Sequence, residues 1–375
     1  MQRIKEIEIA AVGLPRKERI ALRYGSFATL DNVFVAVRTE EGIVGYGESA
    51  PIPPTFGETQ GTIVEILKSR LAPKLIGRDA LDISQLMTDL DGIPGHLCAK
   101  TSLDTALHDI KGKALGVPVC TLLGGAFRTE VPVAQTVGID TIEEATRKAL
   151  AAAKEGFPSL KLKGGNDLQH DTHMLRAVRE ALGHDGPWLR LDLNQGYSNP
   201  AEFWRHLADL EALKVDLIEE PFPARRWQAY RELARRSSIP ICLDETLITD
   251  TDACELARDS AGLVANIKIQ KNGGLYKSSR LIAAMDVLGI PVVIGAHRDA
   301  WISNTAGIHL AASVRQLDYA CDVRYAWSLE DCGIEADGPS LAGGVATVPQ
   351  GHGLGVNIAW ERVIAHASGT YIVGG

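Results

Sequence analysis

The larger part of the chain repeats one pattern that few folds can accommodate. From residue 131 onward, short apolar segments typical of strands alternate with amphipathic segments typical of helices, and the strands recur about every 25 to 30 residues, the length of a βα unit. The predicted strands cover residues 131–137, 159–163, 189–194, 216–221, 240–245, 265–269, 291–297 and, more weakly, 318–323. Seven or eight consecutive units favour a closed (β/α) barrel over an open, doubly wound sheet.

The first 128 residues follow a different pattern. Alternating segments on both sides of Glu41-Gly42, within residues 33–48, predict a β-hairpin. Helical periodicity then covers residues 61–74 and 99–116. Strands followed by helices indicate an α+β domain. We therefore predict an α+β domain over residues 1–128, a barrel over 129–330, and a C-terminal segment, 331–375, that packs back onto the first domain.

Composition excludes several classes of partner. A net charge of −8 argues against nucleic acid or an anionic membrane surface, and no apolar stretch is long enough to span a bilayer. No GxGxxG or GxxxxGK[ST] motif follows a predicted strand, so dinucleotide and P-loop binding have no basis in the sequence. The first residues alternate like a strand and do not resemble a signal peptide. Six dispersed cysteines without a CxxC pair are typical of reduced thiols in a cytoplasmic protein.

Charged and polar residues lie at the C-terminal ends of successive predicted strands, which is where barrel enzymes carry their active sites. One such charge could be a helix-cap partner or part of a local ion pair, but charges at five strand ends in succession favour an active site. The residues, from the second strand to the seventh, are Lys161, Lys163, Asp192, Asn194, Glu219, Glu220, Asp244, Glu245, Lys268, Lys271 and His297.

Three of these residues predict a metal site. Asp192, Glu219 and Asp244 lie on three adjacent strands, which stand about 4.8 Å apart in a parallel sheet. Carboxylates this close repel one another unless a cation lies between them. Ligation by oxygen alone fits Mg²⁺, with Mn²⁺ as a substitute, better than Zn²⁺, since no histidine lies on these strands. The alternative is that the carboxylates are neutralised by Lys163 and Lys268 without a metal.

Two lysines beside the predicted metal site indicate acid/base chemistry. Lys163 on the second strand and Lys268 on the sixth lie on opposite sides of the predicted barrel mouth. A lysine near a cation and partly removed from water has a lowered pKa and can act as a general base. One lysine would remove the α-proton of a chelated carboxylate, and the other would return a proton to the opposite face. Lys161 would hold the substrate carboxylate or lower the pKa of Lys163.

At these residues the chain resembles the enolase superfamily, and within it the muconate lactonizing enzyme subgroup. The matching motifs extend over essentially the whole chain; they are KLK at 161–163, DLNQGY at 192–197, IEEP at 218–221, LDET at 243–246, NIKIQKNGGL at 266–275 and LDTALHDIKGKALGVPVCTLLGG at 103–125. The resemblance implies a modified TIM barrel, (β/α)7β, with an N-terminal α+β capping domain closed by the C-terminal tail. It also implies Mg²⁺ ligation by Asp192, Glu219 and Asp244, acid/base roles for Lys163 and Lys268, and supporting positions for Asn194 and Glu245.

Further residues are expected to contact the substrate. His297 is assigned as a substrate contact, because the strand-six position holds Lys268 and not the aspartate that pairs with such a histidine in the mandelate racemase subgroup. A structural role and a role as auxiliary acid are the alternatives. Substrate selection falls to loops of the capping domain, here residues 14–31 and 49–60, with Tyr24, Phe56 and Glu58 as contacts. Trp301, Tyr325 and Trp327 would add an aromatic wall from the barrel side.

These assignments predict an isomerase that acts on a small carboxylate. Two lysines on opposite faces favour racemisation or epimerisation of an amino acid derivative or dipeptide. Cycloisomerisation of the muconate type and dehydration use the same enediolate intermediate and remain the alternatives. A non-catalytic, anion-binding barrel is the alternative from another class of protein. The resemblance further implies a homo-oligomer.

Overall fold

The computed structural model describes residues 1–336 and 338–375. Its strands, in chain order, are β1 (Ile4–Leu22), β2 (Gly25–Thr39), β3 (Val44–Ser49), β4 (Glu130–Pro132), β5 (Ala134–Val137), β6 (Ser159–Lys163), β7 (Trp188–Asp192), β8 (Leu217–Glu219), β9 (Ile241–Leu243), β10 (Leu263–Ile267), β11 (Val292–Ile294), β12 (Glu335–Ala336), β13 (Leu341–Ala342), β14 (Val345–Thr347), β15 (Asn357–Ile358) and β16 (Ala367–Gly374).

The helices alternate with the strands of the barrel and cover one face of the N-terminal sheet. In chain order they are α1 (Pro53–Phe56), α2 (Gln60–Ile66), α3 (Ile83–Asp91), α4 (Leu97–Leu115), α5 (Val119–Leu122), α6 (Ile142–Lys154), α7 (Leu168–Leu182), α8 (Pro200–Trp204), α9 (Leu207–Ala212), α10 (Trp227–Arg236), α11 (Asp250–Arg258), α12 (Ile269–Asn272), α13 (Leu275–Leu288), α14 (Trp301–Ser313) and α15 (Trp360–Ala365). A π-helical turn and a 3₁₀ turn extend α2 to Lys74, and a 3₁₀ helix spans Tyr325–Ser328. None of the described helices is both long enough and apolar enough to cross a membrane.

The central sheet confirms the predicted barrel. Strands β5 to β11 are parallel neighbours in chain order, each joined to the next through helical segments. The weak eighth strand predicted over 318–323 is wrong as a strand, because this segment forms only an isolated bridge, between Cys321 and Val133, and a few backbone hydrogen bonds. They still link the two edges of the sheet: the amide of Ala134 donates to the carbonyl of Cys321 over 2.8 Å, and the amide of Asp322 donates to the carbonyl of Ile294 over 2.9 Å.

The N-terminal sheet confirms the cap and its closure by the tail. Its order is β16-β1-β2-β3, so the last strand of the chain pairs antiparallel with the first. The loop predicted over residues 14–31 is wrong, because these residues extend β1 and β2 as one long hairpin that turns at Arg23-Tyr24. The hairpin ladder is broken where residues 16–19 bulge outward between the pairs Pro15–Thr29 and Ile20–Phe27.

Division of the chain at residues 128 and 330 remains our proposal. Pairing of β16 with β1 supports a C-terminal segment that belongs to the cap. The predicted first barrel strand, 131–137, is divided in the structure. Its first part, β4, pairs with β14 of the C-terminal segment, and only β5 enters the barrel sheet.

Close contact between helix α4 and strand β3 gives a test of the cap. A Cβ atom added to Gly47 would lie only 1.7 Å from the carbonyl oxygen of Ser102 on α4, whereas one added to Gly61 on α2 would have no neighbour nearer than 4.0 Å. We expect Gly47→Ala to lower the free energy of unfolding by about 2–3 kcal/mol through overpacking. Gly61→Ala is the control and should leave it unchanged or raise it by up to about 1 kcal/mol. Equal urea denaturation curves for the two variants would contradict this packing.

Candidate active site

The register of the barrel strands brings the predicted site residues together. Lys163 lies opposite Asp192, and Asp192 lies opposite Glu219, on the neighbouring strands β6, β7 and β8. Glu219 lies opposite Cys242, so that Asp244 follows at the end of β9. All of these side chains are buried at the same end of the sheet. Their burial in one group follows from strands of a parallel sheet ending at a common edge.

Each of the two outer carboxylates has its shortest lysine contact with a different one of the two predicted acid/base lysines. Lys163 Nζ donates to Asp192 Oδ2 over 2.6 Å, and Lys268 Nζ donates to Asp244 Oδ2 over 2.5 Å. Lys163 and Lys268 project from β6 and from the end of β10, with three strands between them. The two ammonium groups therefore approach the carboxylates from two different sides.

Lys161 binds between the carboxylates at the base of the site. Its Nζ lies 2.8 Å from Glu219 Oε1, 2.8 Å from Asp322 Oδ2 and 3.1 Å from Asp192 Oδ2. Burial alone would lower the pKa of this lysine, but the surrounding carboxylates raise it well above its ordinary value. Lys161 is thus a fixed positive charge that joins three strand ends.

Sequence reasoning missed Arg190 and Asp322. Arg190 is fully buried, and its guanidinium contacts Glu219 Oε2 over 3.2 Å and Asp322 Oδ1 over 3.1 Å. One signal was available for Arg190, since it precedes Asp192 by two residues and therefore points to the same face of β7. A signal was available for Asp322 as well, since it lies near the C-terminal end of the weak strand predicted over 318–323, although this segment does not form a strand.

Asn194 and Glu245 lie beside the carboxylates, as expected of supporting residues. The backbone amide of Asn194 donates to Asp192 Oδ1 over 3.1 Å, and its side-chain oxygen accepts from Lys163 Nζ over 3.0 Å. The side-chain amide donates to Glu245 Oε1 over 3.1 Å. Asn194 adopts a φ of 40°, in the left-handed region that asparagine tolerates better than most residues. This conformation lets one residue orient Asp192, Lys163 and Glu245.

Titration of the site is dominated by the lysine–carboxylate pairs. Burial would raise the pKa of Asp192, but Lys163 and Lys161 hold it well below its ordinary value. The pKa of Glu219 is raised, first by burial and then by the charge of Asp192. Burial would lower the pKa of Lys268, yet Asp244 raises it above its ordinary value. The lowered lysine pKa expected from the sequence therefore does not hold for Lys268 in this arrangement.

The donor set of the three carboxylates fits a hard divalent cation. All are buried oxygen donors, the charges of Asp192 and Asp244 both raise the pKa of Glu219, and Asp244 Oδ1 lacks a hydrogen bond although Lys271 Nζ lies 3.2 Å away. Within the described residues, no three His, Cys, Asp or Glu side chains are grouped as a complete metal site, and each of these carboxylates faces a lysine instead.

The catalytic cavity lies over these groups and is narrow. Lys163, Lys268 and Asp244 line it together with His297 and Phe56, whose rings stack with centroids 4.6 Å apart. The free space is about 20 Å³, enough for a single water molecule. A substrate therefore reaches the lysines only when side chains over the mouth move aside.

His297 presents one unoccupied ring nitrogen within this cavity. Its Nδ1 lies 3.0 Å from the carbonyl oxygen of Ala50, which can only accept, so Nδ1 carries the proton. Nε2 is then an acceptor, and it is buried without a hydrogen-bond partner in the described part of the chain. Burial, reinforced by the charge of Lys268, lowers the pKa of His297 to about 3 and keeps the ring neutral.

The structure does not place Trp327 on the wall of this cavity. Trp327 packs edge to face against Trp301, with ring centroids 5.3 Å apart, and Tyr325 of the same 3₁₀ helix lines the cavity instead. Tyr24, from the end of the hairpin β1–β2, is a second aromatic lining residue. Tyr24 and Tyr325 therefore line the cavity as expected, while the 3₁₀ helix turns Trp327, two positions along, to a different side. Glu58 is not among the lining residues and instead accepts hydrogen bonds from the amides of Cys98 and Ala99 over 2.9 and 3.2 Å.

Comparison with known proteins identifies families and individual proteins that this chain resembles. Residues 4–124 match the family described as "Mandelate racemase / muconate lactonizing enzyme, N-terminal domain", and residues 144–362 match "Enolase C-terminal domain-like". The N-succinyl-L-Arg/Lys racemase of Bacillus cereus is 32% identical over 312 residues, 83% of this chain and 84% of that protein. The crystal structure of the N-succinyl Arg/Lys racemase from that species superposes with a TM-score of 0.95 at 29% identity and covers both chains fully.

Two further relatives differ in reaction. A chloromuconate cycloisomerase of Pseudomonas sp. is 30% identical over 367 residues, 96% of this chain and 98% of that protein. A dipeptide epimerase of Cytophaga hutchinsonii, solved in complex with Mg and the dipeptide D-Ala-L-Val, superposes with a TM-score of 0.93 at 27% identity over the whole of both chains. Racemases, epimerases and cycloisomerases are all isomerases, so the predicted class of enzyme is confirmed. The chain belongs to the mandelate racemase and muconate lactonizing enzyme family of the enolase superfamily.

Proposed function

We propose that this enzyme racemises or epimerises an N-acylated amino acid or a dipeptide by moving the α-proton of its carboxylate-bearing carbon. One observation carries the proposal: Lys163 and Lys268 approach a common group of carboxylates from two sides, each within 2.6 Å of its partner. A carbon held between two amines can lose a proton to one and gain a proton from the other. Such transfer inverts the configuration of that carbon.

Asp192, Glu219 and Asp244 would hold a Mg²⁺ ion, with Mn²⁺ as a substitute. When bound, the ion would supply positive charge to stabilise the enediolate form of the substrate. The lysines support this assignment, because an amine accepts a proton only when it is deprotonated, and Asp244 raises the pKa of Lys268. Carboxylates that share their charge with a divalent cation would hold the lysine protons less strongly.

Fixed residues around the cavity would orient the substrate. Lys161 remains protonated between its carboxylate partners and would offer positive charge to the substrate carboxylate. Asn194 would keep Lys163 aligned through the hydrogen bond to its Nζ. Phe56, stacked on His297, would close the cavity and exclude water from the reacting carbon.

The neutral ring of His297 favours a substrate with an amide. Its Nε2 is a buried acceptor without a partner among the described residues, and an acceptor of this kind gains most from an N–H donor. N-acylated amino acids and dipeptides carry such an N–H beside the α-carbon. A muconate dianion carries none.

Cycloisomerisation is the second candidate function. The chloromuconate cycloisomerase matches 96% of this chain, a larger share than the 83% matched by the racemase of similar identity. In that reaction, or in a dehydration, one lysine would transfer the proton and the other would only assist. The same enediolate would be formed.

A substrate screen in deuterated water tests the proposal. N-acylated amino acids and dipeptides should take up deuterium at the α-carbon and lose optical activity, whereas muconate and sugar acids should remain unchanged. Nuclear magnetic resonance measures both the lost α-proton signal and any new product. Lactone formation from muconate without exchange of any amino acid derivative would replace this proposal by the second candidate.

Two further expectations stay open as part of this proposal. Assembly into a homo-oligomer remains a prediction from the family resemblance, and so does a cytoplasmic location. The expected partner is a small carboxylate substrate, in line with the dipeptide in the solved complex of the epimerase.

A further inference from the structure

A second, larger cleft lies beside the catalytic cavity, and its lining is strongly basic. Its volume is about 500 Å³, within the range of small-molecule sites. It is formed between the bulge of the hairpin, the end of β5, helix α6 and the 3₁₀ helix. Six cationic residues line it against only two acidic ones, Glu18 and Glu155; the cations are Arg16, Lys17, Arg19, Arg147, Lys148 and Arg324. This excess of positive charge stands out in a chain whose net charge is −8.

Two of these cations, Arg16 and Arg324, have buried donor atoms without a hydrogen-bond partner in the described part of the chain. Arg147 and Lys148 pair with Glu144 and Asp140 over 2.6 Å. Arg16 and Arg324, in contrast, form no ion pair with any residue that the structure describes, and Arg16 Nη1 and Arg324 Nε are buried without hydrogen bonds. Buried donors in this state are costly unless a ligand satisfies them.

The two guanidinium groups face the same space. Burial lowers the pKa of Arg324, and the charge of Arg16 lowers it further while Glu155 opposes the change. Arg16 lies over the ring of Tyr325 at 5.6 Å, and Arg324 lies over the ring of Phe157 at 5.3 Å. Arg16 Nε also donates to the carbonyl of Glu18 over 3.0 Å, so the donors left for a ligand include Arg16 Nη1 and Arg324 Nε.

The backbone holds this arrangement in place. The amide of Glu330 donates to the carbonyl of Pro15 over 3.0 Å, next to Arg16, and the amide of Ile139 donates to the carbonyl of Ala21 over 2.9 Å. These bonds fasten the hairpin to the barrel on both sides of the bulge at residues 16–19. The bulge turns these residues out of the hairpin ladder and toward the cleft.

The cleft opens beside the reacting groups. Thr136 and Tyr325 line both the cleft and the catalytic cavity, and Thr136 lies opposite Lys161 in the barrel register. A chain of about two residues in length extends about 7 Å and would reach from the reacting carbon toward this shared wall. The distal part of an N-acylated amino acid or dipeptide has this length.

We infer that the cleft binds a second carboxylate, carried by the part of the substrate distal to the reacting carbon, through Arg16 and Arg324. This inference rests on the proposed function for the reacting end of the substrate. Planar guanidinium groups pair with carboxylates through two hydrogen bonds, which suits a pocket with two unpaired arginines. The second carboxylate belongs either to a dicarboxylic acyl group or to an acidic first residue of a dipeptide.

Paired probes that differ only in this charge test the inference. N-succinylglycine is compared with its terminal carboxamide, and L-Asp-Gly is compared with L-Asn-Gly, by titration calorimetry of the full enzyme with Mg²⁺. The wild-type enzyme should bind the carboxylate member of at least one pair about tenfold more tightly, the effect of about 1.4 kcal/mol from a charged hydrogen bond. The pair that shows the preference identifies the source of the carboxylate.

Single variants assign the preference to the cleft. Arg16→Gln and Arg324→Gln should each remove most of it, while Arg280→Gln, an exposed arginine with a tyrosine partner on α13, should keep it. Thermal unfolding shows whether each variant is folded. Added salt provides a test that needs no variant, because salt should weaken the binding of the carboxylate probe more than it weakens the binding of the matching amide. Absence of a preference in the wild-type enzyme, or its persistence in both variants, would overturn the inference.

The same probes separate this inference from the proposed function. Deuterium uptake at the glycine α-carbon reports on the lysines, whereas the binding preference reports on the cleft. Binding with the predicted preference but without uptake would refute the function and keep the cleft. Equal uptake and equal binding of both members of each pair would refute the cleft and keep the function.

Discussion

Removal of divalent metal is expected to abolish α-proton exchange by this enzyme, and Mg²⁺ or Mn²⁺ is expected to restore it. Asp192, Glu219 and Asp244 are buried at three neighbouring strand ends, where their mutual repulsion favours a shared cation. Substitution Asp244→Asn should lower kcat/KM by at least about 10³-fold, since stabilisation of transition-state charge by a metal is worth several kcal/mol. Binding of Mn²⁺, followed by electron paramagnetic resonance, should weaken in the same variant.

Stability must be measured together with activity in this experiment. Asp244→Asn leaves the buried ammonium groups of Lys268 and Lys271 without their carboxylate, which should lower the free energy of unfolding by about 3–5 kcal/mol. Asp286→Asn is the matched control, because Asp286 forms an exposed ion pair with Arg315 far from the site. Full activity of folded Asp244→Asn, or of the chelated wild-type enzyme, would show that the carboxylates do not hold a required metal.

Substitution of each lysine should impair α-proton exchange of a different substrate enantiomer. If each lysine serves one face of the α-carbon, Lys163→Ala should lose exchange of one enantiomer and retain some exchange of the other, and Lys268→Ala should show the reverse. The affected exchange should fall by about 10²–10⁴-fold, the range for loss of a general base. Both enantiomers bind through the same carboxylate, so only the position of the base distinguishes them.

Deuterium uptake by each pure enantiomer measures this effect. Lys68→Ala is the control, since Lys68 forms an exposed ion pair with Glu65 on the cap. A cycloisomerase or dehydratase would confine exchange to one stereochemical series, and one lysine would be dispensable. Unchanged uptake in both lysine variants would mean that these residues only balance the charge of the carboxylates.

The repeated βα pattern made the barrel predictable from sequence, and the alignment of neighbouring parallel strands made most of the candidate site predictable. Residues that follow successive parallel strands meet at one edge of the sheet, so Lys163, Asp192 and Glu219 could be grouped before their contacts were known. The segment at 318–323 was predicted as a weak strand, but isolated backbone bonds to its neighbours replace a strand there. Asp322 in this segment was not assigned to the site.

The features that could not be predicted depend on contacts between residues that are distant in sequence. The hairpin across residues 14–31 contains a run of charged residues that is typical of a loop, and pairing with β2 overrides that local preference. The basic cleft also joins residues distant in sequence, since Arg16 and Arg324 meet only after the cap docks on the barrel. The raised pKa of Lys268 depends on the contact of its Nζ with Asp244, which no pattern of spacing could supply.

The central claim is that two lysines on opposite faces move the α-proton, and the isotope content of the inverted product tests it most directly. A single enantiomer of an accepted N-acylated amino acid is incubated with the wild-type enzyme in deuterated water and analysed early in the reaction. The account predicts that every molecule of inverted product carries deuterium, because the proton it receives comes from a second lysine in exchange with solvent. Inverted product that retains the original hydrogen would contradict the account, since one base would then have carried that hydrogen to both faces.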